Sequence, residues 1–440
     1  MLGWGSARRG GLYLLAGRPE RKLPRRAGNR FGGDLYDRRT LTESDFPSPE
    51  KHDPDLEDEL DEDEDGADDD QVEQAWERFR ATFFSRRTLV IGISFIVVVL
   101  AFLYVVLPQL PGLQDSLQRV RDEGDRTWLA VAFCMELLSY AAYIWLFRAV
   151  FIDKIPIIGW RGSYNISMAG VAATRLLGAA GAGGIALTFW AVRKAGMGRR
   201  MSVSYLVAFY VLLYGVFMIA LVVDGVLLRA GIIPGTNPIA VTVVPAVFGG
   251  LVIVIFLLAL LVPSNLERLA AHWSSGRGRV AKIAQKAATV PALIGHGTRV
   301  AFKLLRRGEP GLLGALGWWA FDIATLWACF KAFGDSPTLG VLVMGYFVGM
   351  IANIIPTPGG VGAVEGGMIG SYAAFSVPLD YAIPAVLAYR VFAFIMPTIP
   401  GVVAFIRLRA TTAVWQAAHV AEQRTTIQSK VTNEALSTNE

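Results

Sequence analysis

Six ionisable side chains stand inside long apolar runs of this sequence: Glu136, Arg175, Asp224, Asp322, Glu365 and Arg390. A charge at the centre of a membrane helix costs about 2.5–3.5 kcal/mol on the insertion scale. A Leu-like residue returns only about 0.3–0.6 kcal/mol. Left unpaired, the six would cost about 15–20 kcal/mol together, so they are expected to face one another or water rather than lipid. Four acids and two bases do not neutralise each other, which leaves some acids to be protonated or wetted. Arg175 precedes Leu-Leu-Gly-Ala-Ala-Gly-Ala-Gly-Gly. Its guanidinium is a planar fork suited to a phosphate or carboxylate. Gly181, Gly183 and Gly184 would let backbone N–H groups at the start of a following half-helix point at an anion. The alternative for Arg175 is an internal ion pair that holds the segment together.

Glu365 lies in Pro356-Thr-Pro-Gly-Gly-Val-Gly-Ala-Val-Glu-Gly-Gly-Met. Prolines break a helix and glycines free its backbone, which is tolerated at membrane depth only beside protein or water. Glu365 is open to two readings: a coupling or substrate-binding group, or a cap favoured by the dipole of the next half-helix. Arg390 follows Tyr389, and its partner is either Glu365 or a bound phosphate. Asp322 and Glu136 are candidates for a proton relay or for pairing with Arg175. Asp224, near a helix end, is expected to reach the outer interface. The candidate binding set is thus Arg175, Gly181, Gly183, Gly184, Asp322, Pro358, Gly359, Gly360, Gly362, Glu365, Tyr389 and Arg390, with Glu136 as a relay.

The elements that must position these groups follow from composition. The chain has 440 residues, 53% hydrophobic and 18% charged, with a mean hydropathy of +0.43. Of its 37 acids and 42 bases, residues 1–87 hold 21 and 15, which leaves 16 and 27 for residues 88–440. Thirteen acids crowd into positions 53–70. Residues 1–87 read as a disordered cytoplasmic tail, because neither the Arg/Gly-rich start nor the acidic run buries enough apolar surface to fold. That run is open to docking a protein partner or to being a solvated tail with none.

A spanning helix needs about 20 mostly apolar residues. Six firm candidates are Leu89–Leu107, Trp128–Val150, Val203–Leu228, Ile239–Val262, Leu312–Phe333 and Tyr381–Ile406. Two longer stretches are broken: Ser163–Val192 by glycines, and Leu339–Val377 by Pro356-Thr-Pro-Gly-Gly. Bases flank both ends of the first broken stretch, and the loop 263–311 carries nine bases and two acids. The positive-inside rule then places both termini in the cytoplasm and has the broken stretches enter from opposite faces, as re-entrant hairpins or paired short spans. The expected fold is an all-α polytopic membrane protein with six transmembrane helices and two broken helical hairpins. Opposed broken helices are the pattern of inverted-repeat transporters, although the halves share no convincing sequence repeat. Residues 88–410 form the transmembrane domain and 411–440 a cytoplasmic C-terminal tail. Within loop 263–311, Arg299–Arg307 sets bases beside apolar residues, as in a helix lying on an anionic leaflet; the positive-inside rule alone is the other explanation. Trp318 and Trp319 are expected in the interfacial belt.

Other chemistries find little support. Cys134 and Cys329 sit in apolar segments and offer no disulfide framework. Four scattered histidines have no metal-ligand spacing. No P-loop and no H-E-x-x-H occurs. No cofactor and no nucleic-acid partner is expected.

Pro358-Gly359-Gly360-Val361-Gly362 with Glu365, the Arg175-led Gly-rich hairpin and Tyr389-Arg390 together resemble the lysylphosphatidylglycerol synthase transmembrane domain, also called the flippase-like domain family. The resemblance covers roughly 88–410. It implies an inner (plasma) membrane domain that moves phospholipids or other lipid-linked molecules between leaflets. In full-length members a cytosolic aminoacyl-transferase follows; only 31 residues follow Arg409, so lysyl transfer is not carried over. The leading expectation is a lipid flippase-like transporter, with a polar cavity between the hairpins where Arg175 and Arg390 receive a phosphate and Glu365 competes for them. The alternatives are a membrane-embedded transferase acting on a lipid phosphate, and a non-catalytic scaffold recruiting partners through its acidic tail. Abundant Gly, Ala and Arg point to a GC-rich bacterial genome.

Overall fold

The computed structural model describes residues 124–177, 182–235, 238–261, 279–355 and 360–415. The N-terminal tail, the candidate span Leu89–Leu107 and the residues after 415 lie outside them. Among the described residues every regular element is helical. They are α1 (Arg126–Phe151), α2 (Trp160–Leu177), α3 (Ala182–Lys194), α4 (Arg199–Arg229), α5 (Ile239–Ala259), α6 (Arg279–Arg307), α7 (Leu313–Phe333), α8 (Leu339–Ile351), α9 (Ala363–Ala374) and α10 (Leu379–Trp415).

Five of these are long and apolar enough to cross a membrane: α1, α4, α5, α10 and α7 with its leading 3₁₀ turn. They coincide with five of the six firm spans read from the sequence. The two broken stretches are helical pairs. α3 has 13 residues and α9 has 12. At 1.5 Å per residue these arms are about 18–20 Å long, short of a hydrocarbon core about 30 Å thick. In each pair this arm is too short to cross such a core by itself, whereas α2 has 18 residues. The order long helix, short-armed pair, long helix occurs twice, as α1, α2–α3, α4 and as α7, α8–α9, α10.

Between apolar helices in lipid, close packing replaces the hydrophobic effect as the adhesive, and small residues permit it. α1 and α7 form the central antiparallel pair. Asp125 caps α1 by accepting from the Thr127 N–H at 2.8 Å, and its own N–H donates to Ala332 O at 3.0 Å. At the other end, Gly314 lies so close to α1 that a Cβ there would fall 2.4 Å from Ala142 O. Between these points the Ser139 hydroxyl donates to Trp318 O at 3.0 Å.

The arms of the first hairpin touch at Gly184, where a Cβ would meet Gly170 O at 2.7 Å. In the second hairpin, the Tyr372 hydroxyl donates to Leu342 O at 2.9 Å and Ser371 to Gly345 O at 3.2 Å. Beyond Ile395, α10 runs antiparallel along α2. Gly401 approaches Met168, and Trp415 packs over Gly162. The buried residues Gly401, Ala404, Leu408, Thr412 and Trp415 trace one helical stripe.

α6 behaves as an amphipathic surface helix. Val300, Ala301 and Leu304 are buried, whereas Phe302, Lys303, Leu305 and Arg306 are exposed. Its inner face is set against α4 at Gly297, where a Cβ would overlap Val207. The belt expectation fails for Trp319. It is 4% exposed and its indole donates to Leu213 O at 2.7 Å. An indole with a backbone partner and ring neighbours in Phe217 and Phe347 gains more inside than at an interface.

Candidate functional site

The site is organised by a defect in α10. Its first stretch, Leu379–Arg390, gives way to a π turn over Val391–Ile395. Such wide turns are rare and leave carbonyls poorly served by their own helix. Pro397 deepens the effect. It has no N–H to return to Ala393, four residues earlier. Other groups take these acceptors. The Tyr140 hydroxyl of α1 donates to Ala393 O at 3.3 Å, and Phe394 O accepts from Arg175 Nη1 of α2 at 3.1 Å as well as from the Thr398 hydroxyl of its own helix at 2.5 Å. Arg175 Nη2 also donates to the Tyr140 oxygen at 2.5 Å. Arg175 is thus held by neutral oxygens, and no carboxylate lies within ion-pair distance among the described residues.

Arg390, at the head of the same turn, is held differently. Its Nε donates to Glu365 Oε1 at 2.7 Å, with the two side chains 12% and 16% exposed. Glu365 Oε2 accepts from the Gly362 N–H at 2.7 Å, which caps α9. Gly362 has φ +83° and Gly360 φ +67°. These are left-handed conformations that favour glycine, so the Gly-rich turn is what aims the cap. Of the two readings of Glu365 the cap is what the geometry carries, and of the two partners open to Arg390 it is Glu365 that holds it.

The two arginines meet at one ring. The Arg175 guanidinium lies 5.7 Å from the Phe394 centroid, and that of Arg390 lies 5.2 Å from it. Phe394 is one helical turn beyond Arg390. Near the tips of both hairpins, then, a charged residue engages the same turn of α10.

Behind Arg175 is a deeper polar cluster. Glu136 and Asp322 are 1% and 4% exposed. Asp322 Oδ2 accepts from the Tyr389 hydroxyl at 3.1 Å and from the Tyr346 hydroxyl. Glu136 stands level with Asp322 on the α1–α7 seam, between the Ser139 bond to Trp318 O and a bond from Thr325 to Ala132 O at 3.4 Å, and the Arg175 charge acts on both carboxyls. Opposed carboxyls, tyrosine donors and one nearby guanidinium can hold and pass a proton.

The structure brings together Glu136, Arg175, Asp322, Tyr389, Glu365, Arg390, Gly360 and Gly362. Gly181, Pro358 and Gly359 lie outside the described residues. Gly183 and Gly184 are buried in the first turn of α3, and Gly184 is the contact between the hairpin arms. Asp224 is covered by protein rather than exposed. It is 6% exposed and packs where Gly340 of α8 leaves room, because α8 covers that end of α4. Tyr140, Tyr346 and Phe394 were not in the set read from sequence. Tyr140 stands one turn from Glu136 and Phe394 one turn from Arg390, spacings that place each pair on one helix face. Among the described residues, no three His, Cys, Asp or Glu side chains form a group that could hold a metal ion.

Residues 85–401 match the family model described as lysylphosphatidylglycerol synthase TM region. Two similar curated proteins are both named UPF0104 membrane protein. One, from Methanothermobacter thermautotrophicus, is 36% identical over 97 residues, 22% of this chain and 28% of its own length. The other, from Methanocaldococcus jannaschii, is 29% identical over 90 residues, 20% of this chain and 27% of its own length. This chain therefore spans little more than a quarter of either relative, and both relatives are archaeal.

Proposed function

This chain belongs to the lysylphosphatidylglycerol synthase TM-region family, and on that premise we propose that it moves an anionic phospholipid, or another lipid-linked phosphate, between leaflets. The observation that supports this reading most is the convergence at Phe394 of Arg175, from the first hairpin, and Arg390, which the second hairpin holds through Glu365, at a broken turn of a long apolar helix. A guanidinium pair is expensive at membrane depth. A lipid phosphate offers what would repay it, since Arg binds phosphate through parallel charge-assisted hydrogen bonds.

In this proposal the phosphate enters between the two arginines while the acyl chains remain in the bilayer. It displaces Glu365 from Arg390, and Glu365 keeps its bond to the Gly362 N–H. The empty site is thereby neutralised by the protein's own carboxylate. The two helix–hairpin–helix units open the site to alternate faces in the manner of inverted-repeat transporters. The termini are cytoplasmic, the membrane is the plasma membrane, and α6 rests on its anionic surface through Lys303 and Arg306 with Phe302 and Leu305 dipping in.

The test is lipid translocation in liposomes. Purified protein is reconstituted with fluorescent phosphatidylglycerol, and the outer-leaflet label is reduced chemically. Loss of label beyond the outer half is expected in the wild type and not in Arg175→Ala or Arg390→Ala. Normal yield with normal translocation in Arg175→Ala would refute the head-group assignment.

A further inference from the structure

We infer that Glu136 and Asp322 hold one proton between them, and that this proton is linked to anion occupancy at Arg175. The inference deepens the proposed function by naming an energy source, and its link to transport rests on that reading. The shared proton itself stands on geometry alone. Both carboxyls are more than nine-tenths buried, and they stand at one level of the α1–α7 seam, between two cross-links, Ser139 to Trp318 O at 3.0 Å and Thr325 to Ala132 O at 3.4 Å. Glu136 Oε2 and Asp322 Oδ1 are each buried without a donor from any other group among the described residues. Two acceptors cannot satisfy one another, and a buried unpaired oxygen is costly. One hydrogen placed between the carboxyls makes one of them a donor and satisfies both.

Charge points the same way. The connected cluster contains Arg175, Arg390, Glu365, Glu136 and Asp322. With every group ionised it carries three negative charges against two positive. One proton makes it neutral, the state a low-dielectric interior favours. The groups facing the pair are Tyr140 on α1, Arg175 on α2, Cys329 on α7, Tyr346 on α8 and Tyr389 on α10. Of these only Arg175 is a permanent charge.

Arg175 is therefore where proton and anion communicate. Its guanidinium offsets the remaining negative charge of the pair. An incoming phosphate draws on that same charge and leaves the carboxylate less compensated, so the pair binds a proton more tightly. By linkage, protonating the pair raises anion affinity by the same factor. Proton and anion are bound together and released together. A proton gradient would then drive the lipid toward the face with the higher pH.

Two measurements on the full chain test this. The first is difference infrared spectroscopy of the wild type in detergent. A protonated-carboxyl band is expected that disappears in Glu136→Gln and in Asp322→Asn but persists in Glu365→Gln. Its absence from the wild type, or its survival in both the Gln and Asn variants, overturns the shared proton. The second uses liposomes loaded with a pH dye and labelled phosphatidylglycerol. Wild-type translocation should carry protons with it and quicken severalfold under an imposed gradient. In Glu136→Gln and Asp322→Asn the ratio of rates with and without the gradient should fall to about one, whatever the absolute rate. A gradient response that survives in both variants, or wild-type transport with no proton movement, overturns the linkage. A wild type that shows the band but moves no lipid upholds the shared proton and removes the transport reading.

Discussion

Glu365→Gln separates a competing carboxylate from a merely structural one. Glu365 uses Oε1 for Arg390 and Oε2 for the Gly362 N–H. Glutamine has one acceptor oxygen, so it keeps one of these bonds and turns an NH₂ toward the other donor. Losing a bond to a charged group in so buried a site costs about 1.5–3 kcal/mol, and the thermal midpoint should fall accordingly. Anion affinity should move the other way. A bond involving an ionised partner is worth about 1.5–3 kcal/mol and a neutral one about 0.5–1.5 kcal/mol. The phosphate therefore has about 1–1.5 kcal/mol less to overcome at Arg390, which is about 5- to 13-fold in affinity. The assay is thermal unfolding in detergent with rising short-chain phosphatidylglycerol, because stabilisation grows as the logarithm of ligand over Kd. Glu365→Gln should start lower and respond at about 5- to 13-fold less lipid. Arg390→Ala should respond only at more lipid than wild type. If Glu365→Gln also needs more lipid than wild type, Glu365 is part of the lipid site rather than its competitor, and the displacement scheme fails.

Arg175→Lys keeps the charge but loses the fork that reaches both Phe394 O and Tyr140; translocation in the liposome assay should fall about tenfold or more, which is about 1.4 kcal/mol of lost binding. Pro397→Ala supplies an N–H that competes with the Tyr140 hydroxyl for Ala393 O; yield should hold while translocation drops. Gly349→Ala and Gly366→Ala form a matched pair in the second hairpin. A Cβ at Gly349 would lie 2.1 Å from the Met368 side chain, whereas at Gly366 nothing lies within 4 Å. The first should destabilise by about 1–3 kcal/mol and the second should stabilise by about 0.5–1 kcal/mol, the usual gain of Ala over Gly inside a helix, both read by thermal unfolding.

Much of this architecture is visible in the sequence because lipid permits few solutions. Five spans follow from length and apolarity alone, and the hairpins from Gly and Pro where a helix should not break. The charged residues are equally visible, since every one is an anomaly against its surroundings. What hydropathy does not encode is azimuth. A membrane helix is apolar all round, so the face that turns inward has no polar counter-face to reveal it. That is why Trp319 reads as a belt residue and lies in the core, and why nothing in the sequence shows that α8 covers Asp224. Tyrosine hydroxyls are hidden for a related reason. Tyr140 and Tyr346 count as apolar bulk in any window, yet Tyr346 supplies a donor to the buried Asp322 carboxyl and Tyr140 ties Arg175 to Ala393 O. The π turn leaves even less trace, because Pro397 marks only its far side.

That turn also sets the phase of everything after it. One residue of an α-helix is worth about 100° of rotation, so the extra residue in a π turn swings the remainder of α10 by about that angle. The stripe Gly401, Ala404, Leu408, Thr412 and Trp415 meets α2 with this offset in place. Shortening Val391–Ile395 by one residue would heal the helix and roll the whole stripe out toward lipid. Substitutions there change side chains one at a time; a single deletion would turn half of a 37-residue helix. Length in this short segment is therefore under tighter constraint than identity, and a loss of register, rather than a loss of any one contact, is how this fold would fail.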